Sequence, residues 1–229
     1  KPDIPLIAKA VNKSIKQSAD KDFDFATAEN NAQGKFDMIF TNPPFGAKVE
    51  VDIEIARRYE LNSKAPEVLF IEACYNFLKP GGKMAIVLPD GILGNPNTEE
   101  VRLWILKHFK LIASVDLPVE TFLPQVGVQA SLLFLQKKTD EEMLIPIENE
   151  DYDVFMAIVE QVGKDRRGVP IYERDDDGAE ILFPHVKRWL AYNDFGRQVV
   201  RSRNERVKRL ADDLPKVAEA FRKFRFDKL

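Results

Sequence analysis

Short apolar runs spaced by amphipathic stretches constrain the fold of this chain more than any other feature. Residues 36–40, 83–88, 111–117 and 130–136 are apolar runs of strand length. Between them, residues 66–78 and 98–108 carry apolar side chains at helical spacing. A strand covered on both faces reads as a continuous apolar run rather than an alternating one. Strand, helix, strand, helix, strand predicts an α/β fold with a parallel sheet and right-handed crossovers. Residues 118–129, between the last two runs, show no helical pattern. A parallel return needs a longer crossover, so the final strand is expected to be antiparallel, at the sheet edge.

The punctuation agrees with this reading. Pro66 and Glu67 open a helix and Pro80-Gly81-Gly82 stops it. Pro89-Asp90-Gly91 ends the second strand, and Thr98 followed by Glu99 and Glu100 predicts a capped helix start. Upstream, residues 6–15 suggest a short helix and residues 20–34 a loop, while residues 46–64 read as a mobile connection on the site side. From residue 140 the pattern changes. Residues 151–162, 184–195 and 204–226 are expected to be helical, the last broken at Pro215. Turn signals stand at Arg167-Gly168 and Asp177-Gly178. The expected organisation is an α/β domain over residues 1–139 and a mainly helical appendage over residues 140–229 that contacts a partner or DNA.

A single cysteine, Cys74, in an apolar helical run, excludes a disulfide framework and a cysteine-rich metal site, and suits a reducing cytoplasm. No metal site is expected. No apolar stretch approaches the ~20 residues of a membrane span. The net charge of −3 is unevenly spread: residues 197–229 carry a balance of +6, leaving −9 on residues 1–196. A basic tail of this kind serves either an acidic partner such as nucleic acid or simply the solvated face of a helix.

The chemically distinctive element is Asn42-Pro43-Pro44-Phe45, directly after the first strand. Ligands of open α/β sheets bind outside the carboxyl ends of the strands, where this turn, residues 89–96 and residues 118–127 are all expected. The two prolines stiffen the backbone and remove two N–H donors, so carbonyl oxygens face outward as acceptors. The Asn42 amide oxygen adds another acceptor, and Phe45 supplies a ring on which a base can stack. Such a corner suits the amino group of a nucleobase. Two acceptors, the Asn42 side chain and the Pro43 carbonyl, would hold both N–H bonds and favour a pyramidal nitrogen whose lone pair meets an electrophilic methyl group. The work is positioning and electrostatics, so no strong general base is required. His108 and His185 lie outside this turn and read as structural. A base inside a duplex must be flipped to reach the corner. Stacking on Phe45, and on Phe122 in the loop before the last strand, would offset that cost; Phe122 reads equally as a loop aromatic buried on the sheet.

KFDMIFTNPPFG, then EVLFIEACYNFLKPGGKMAIVLPDGIL, then DLPVETFLPQVGVQASLLFLQKK resemble the N6-adenine DNA methyltransferase family. More narrowly, they resemble the modification subunit of type I restriction-modification systems, and DYDVFMAIVEQVGKDRRGVPIYERDDDG resembles the segment that follows. The resemblance implies a Rossmann-like methyltransferase sheet with an antiparallel last strand and S-adenosylmethionine as methyl donor. It also implies DNA as substrate and separate specificity and restriction subunits as partners. By motif match, Asn42, Pro43, Pro44 and Phe45 take the catalytic role, and Phe45 and Phe122 the contacts to the substrate base. Asp22 and Asp24 are the acidic residues nearest the family's adenine-contacting position.

The family's glycine-rich loop has no counterpart before residue 42, where Gly34 is the sole glycine. The expectation is therefore the C-terminal part of a catalytic domain, inactive alone, with an exposed strand edge that self-associates or is covered by N-terminal residues. An RNA-base or protein-glutamine methyltransferase, or a non-catalytic assembly module, remain alternatives at this point.

Overall fold

The structure, a computed structural model, describes residues 32–45, 56–61 and 63–226. The expected helix at residues 6–15, Asp22, Asp24 and residues 46–55 lie outside the described residues. The chain divides into two compact units, one reaching Leu117 and resuming at Val128–Ile158, the other formed by Pro118–Gly127 and Val159–Leu229.

The first unit contains β1 (Phe36–Thr41), α1 (Pro66–Phe77), β2 (Leu78–Pro89), α2 (Asp90–Gly94), α3 (Glu99–His108), β3 (Phe109–Leu117), β4 (Ala130–Lys137) and β5 (Phe155–Ile158). They build one sheet in the order β1-β2-β4-β3-β5. β1 runs parallel to β2 and β3 parallel to β5, while β4 is antiparallel to both β2 and β3. The α/β reading and the antiparallel direction of β4 therefore hold, but β4 is neither at the edge nor last, since β5 follows it and pairs parallel with β3. It is inserted between β2 and β3, with Met84 opposite Leu135 on one side and Val115 opposite Leu132 on the other. An apolar run such as Leu132-Leu133-Phe134-Leu135 belongs where both of its ladders are paired.

Helix α1 begins at Pro66, whose missing N–H costs nothing in a first turn. It ends at Phe77, ahead of the glycine pair. Pro80-Gly81-Gly82 does not delay the strand. It forms a bulge within β2, where pairing jumps from Phe36 opposite Leu78 to Met38 opposite Lys83. Gly81 takes a left-handed φ of 75°, and a Cβ on Gly82 would lie 2.8 Å from the Lys79 carbonyl oxygen. Thr98 precedes α3 as expected, yet its hydroxyl caps nothing ahead: it donates back to the carbonyls of Gly91 and Asn95, at 3.0 and 2.8 Å.

One face of the sheet, with Met84, Ile86, Leu88, Leu133 and Leu135, packs against Val68, Ile71 and Cys74 of α1 and Val101, Trp104 and Ile105 of α3. Burial pushes the Cys74 thiol up to about 12, so it is a core residue and not a reactive one. Residues 56–61, expected within a mobile connection, are pinned instead. The Glu72 carboxylate accepts the Glu60 and Leu61 N–H groups, and the Trp104 indole donates to Glu60 at 2.8 Å. At the end of the sheet order, β1 leaves Phe36, Met38 and Phe40 47, 53 and 69% exposed.

The second unit departs from the expected helical appendage. Residues 184–195 lie in β6 (Leu182–Tyr192) and the turn after it, and β7 (Gln198–Lys208) pairs with β6 as a two-stranded antiparallel ribbon. Likewise, residues 151–162 hold strand β5 and no helix. Among the described residues of the second unit the one α-helix is Leu214–Phe226, α4, and Pro215 sits in its first turn rather than breaking it. The physical reason is a turn used three times. In Asp165–Gly168, Asp175–Gly178 and Asn193–Gly196 the glycine N–H donates to the first residue's carbonyl at 2.9 Å. In each turn the first residue's Oδ1 accepts two further backbone N–H groups. Each glycine has a positive φ between 71 and 83°. A side chain that satisfies its own backbone in this way competes with helix and favours a hairpin.

Candidate functional site

β1, β2, β3 and β5 are mutually parallel, so Thr41, Pro89, Leu117 and Ile158 end at one rim of the sheet. Asn42-Pro43-Pro44-Phe45 leaves that rim from β1, the two prolines being unable to continue a ladder. Pro43 is buried and anchors the corner. Asn42 and Pro44 are exposed and Phe45 is half-buried, so the corner opens to solvent. Among the described residues the Asn42 side-chain amide has no hydrogen-bond partner, and the hydroxyl of the buried neighbour Thr41 has none either. The turn therefore presents an uncommitted amide on a fixed base.

Next to it along the rim, a polar cluster joins the ends of β2, β4 and β3. The Asp90 N–H donates to the Gln129 carbonyl at 3.1 Å, and the Ser131 hydroxyl donates to Asp90 Oδ1 at 3.0 Å. The Gln129 amide donates to Asp116 Oδ1 at 3.3 Å. Burial pushes the Asp90 carboxyl up; the Ser131 bond lowers it, and the Asp116 charge raises it again. Sequence reasoning treated Asp90 as turn punctuation and missed this cluster. The signal lies in the register, because Pro89, Ala130 and Leu117 are neighbours across three strands only when β4 is interior. With Asn42, these carboxylates make a rim rich in acceptors, suited to an amine rather than a phosphate.

No histidine stands in the turn. His108 ends α3 at the amino end of β3, opposite the rim, stacked on Trp104 at 4.2 Å with its Nδ1 2.8 Å from the Trp104 carbonyl. Burial lowers its pKa. His185 is exposed in β6 of the second unit. Phe122 is half-buried directly after a short 3-10 turn, within Pro118–Gly127 of the second unit, whereas Asn42–Phe45 belongs to the first.

The first unit is thus an α/β domain whose largely parallel sheet, with one antiparallel strand inserted, carries an Asn-Pro-Pro-Phe corner on its carboxyl rim. The chain belongs to the N-6 DNA methylase family, whose profile matches residues 6–167. It is 33% identical over 102 residues to the type I restriction enzyme EcoEI methylase subunit of Escherichia coli, covering 44% of this chain and 21% of that protein. Over 107 residues it is 31% identical to the EcoKI methylase subunit of Escherichia coli strain K12, covering 46% and 20%. The chain thus spans about a fifth of the length of these curated relatives. Among solved structures, the EcoKI M protein superposes with a TM-score of 0.47 at 22% identity, covering 62% of this chain and 29% of that one. A structure of a type I R-M system superposes at 0.42 and 33% identity, covering 48% and 23%. Among the described residues no helix is long and apolar enough to cross a membrane.

Proposed function

We propose that this chain carries the target-base site of a DNA adenine-N6 methyltransferase, the modification subunit of a cytoplasmic type I restriction-modification system. The reading rests above all on Asn42: exposed at the carboxyl end of β1, with an amide that has no partner among the described residues. Its oxygen and the Pro43 carbonyl hold the two N–H bonds of an extruded adenine, and Phe45 stacks on the ring. Asp90 and Asp116 add negative potential along the same rim, which favours an amine that loses electron density as it is methylated. Pro43 and Pro44 act by rigidity, keeping the acceptors fixed while the base enters.

S-adenosylmethionine is the donor this chemistry requires, supplying an electrophilic methyl group. The described residues do not by themselves form a site for it. The rim's carboxylates are engaged by Ser131 and Gln129, and the left-handed glycines of the first unit, Gly34 and Gly81, lie at the amino ends of β1 and β2. The chemistry of these residues is the capture and orientation of the amine. Assembly with a specificity subunit and a restriction subunit belongs to the same proposal, as does pairing of another strand or copy with β1, the end strand of the sheet among the described residues.

The test is methyl incorporation from tritiated S-adenosylmethionine into duplex DNA by the full gene product, followed by nucleoside digestion. N6-methyladenine is the expected product. Asn42→Ala lowers the rate by ~10²- to 10³-fold, the loss typical of one positioned hydrogen-bonding group. Label recovered in cytosine, RNA or protein glutamine, or an Asn42→Ala variant with unchanged rate, refutes the reading.

A further inference from the structure

We infer that the β6–β7 ribbon is a second DNA contact, gripping duplex phosphates through the face that carries Lys187, Trp189, Arg201 and Arg203. This deepens the functional reading above, since it takes DNA as the polyanion. Residues 182–208 hold seven Lys/Arg against two Asp/Glu, a balance of +5 in a chain whose net charge is −3. Only Arg203 and Lys208 are paired, with Glu205 and Glu180; Lys187, Arg188, Arg197, Arg201 and Arg206 make no ion pair among the described residues.

Register places the charges. Lys187 stands opposite Arg203 and Trp189 opposite Arg201, and residues directly opposite one another share a face. All four are exposed, Trp189 by 41%. Like charges set directly across an antiparallel ladder repel, and the exposed Arg203–Glu205 pair leaves Lys187 and Arg201 on this face without a counter-charge among the described residues. An external anion relieves that repulsion, and a row of phosphates relieves it along the whole face. The shape fits the same occupant. Strands of eleven residues make a ribbon about 35 Å long, near one turn of duplex DNA. A two-stranded ribbon is also one of the two elements that the major groove admits. An acidic protein would match the charge equally. The length and the aromatic side chain between cations favour the duplex, where Trp189 packs on sugar or base edges.

The experiment measures binding of the 229-residue chain to a fluorescent duplex across a salt series, without cofactor. Three proteins are compared: wild type, Lys187→Ala/Arg201→Ala/Arg203→Ala, and a charge-matched control, Lys35→Ala/Lys83→Ala/Lys107→Ala. The ribbon triple is expected to lower the slope of log K against log salt by about 2 to 3, the loss of that many phosphate contacts. The control keeps the wild-type slope. Equal slopes in the two triples, no duplex binding by wild type, or tighter binding to single strands overturns the inference. Because no methyl transfer is read, failure here is separate from failure of the catalytic proposal.

Discussion

The buried pair Lys138–Glu150 makes the sharpest quantitative prediction about the first unit. Lys138 follows β4, and its side chain is 1% exposed while that of Glu150 is 9% exposed. The ammonium donates to the Leu106 carbonyl at 2.6 Å and to Glu150 Oε1, and the Lys138 N–H donates to the His108 carbonyl at 3.0 Å. This lysine therefore ties the end of α3, the end of β4 and the segment at Glu150 together. In Glu150→Leu the ammonium keeps one carbonyl and loses its counter-charge in a place that water does not reach. Removing one partner of such a pair costs about 3–5 kcal/mol. For a protein of this size that lowers Tm by roughly 6–20 °C.

Replacing both partners, Lys138→Met/Glu150→Leu, removes the stranded charge and should be neutral or more stable than wild type by up to ~4 kcal/mol. Urea unfolding followed by Trp104 fluorescence reads both variants. The chain has two tryptophans, so a Trp189→Phe background isolates the signal of the first unit. A Glu150→Leu loss below ~1 kcal/mol, or a double variant as unstable as the single, refutes the reasoning.

Two further outcomes bear on the rim. The raised Asp90 carboxyl means that folding favours its protonated form. That contribution is full below the ordinary carboxylate range and is lost as pH rises through the folded value. Asp90→Asn should therefore gain stability relative to wild type as pH increases from 3 to 7; a flat or opposite trend in thermal melts defeats the assignment. Gly82→Ala would place a methyl 2.8 Å from the Lys79 carbonyl oxygen and 3.2 Å from that of Phe36. It should cost about 1–3 kcal/mol and disturb the β1–β2 pairing that supports Asn42, read as loss of amide-exchange protection along β1.

Local chemistry made much of this protein legible in advance. Pro66 opens α1 because its missing N–H costs nothing in a first turn, whereas the expected stop at Pro80-Gly81-Gly82 falls inside β2 as a bulge, three residues after the helix has ended at Phe77. The strands at residues 36–41 and 130–137 announce themselves by apolar runs, and the Asn42 corner by prolines that cannot pair. The ribbon was misread for an equally local reason. Residues 184–195 scatter apolar side chains in a way that both periods accommodate, and Asn193-Asp194-Phe195-Gly196 repeats the Asx-x-x-Gly pattern of residues 165–168 and 175–178. Counting that repeat would have broken the helix and predicted the hairpin.

The sequence by itself determined the elements near the site, the direction of β4 and the identity of the acceptor corner, because these follow from turn chemistry and side-chain period within a few residues. Tertiary structure alone decided that β4 lies inside the sheet, that Asp90, Ser131, Gln129 and Asp116 meet on one rim, and that Lys138 is sealed against Glu150. Those outcomes depend on which strand edges pair across 40 or more residues, as Ser131 does with Asp90 at a separation of 41. Backbone ladders are alike at every position, so only the packing of both sheet faces selects among them.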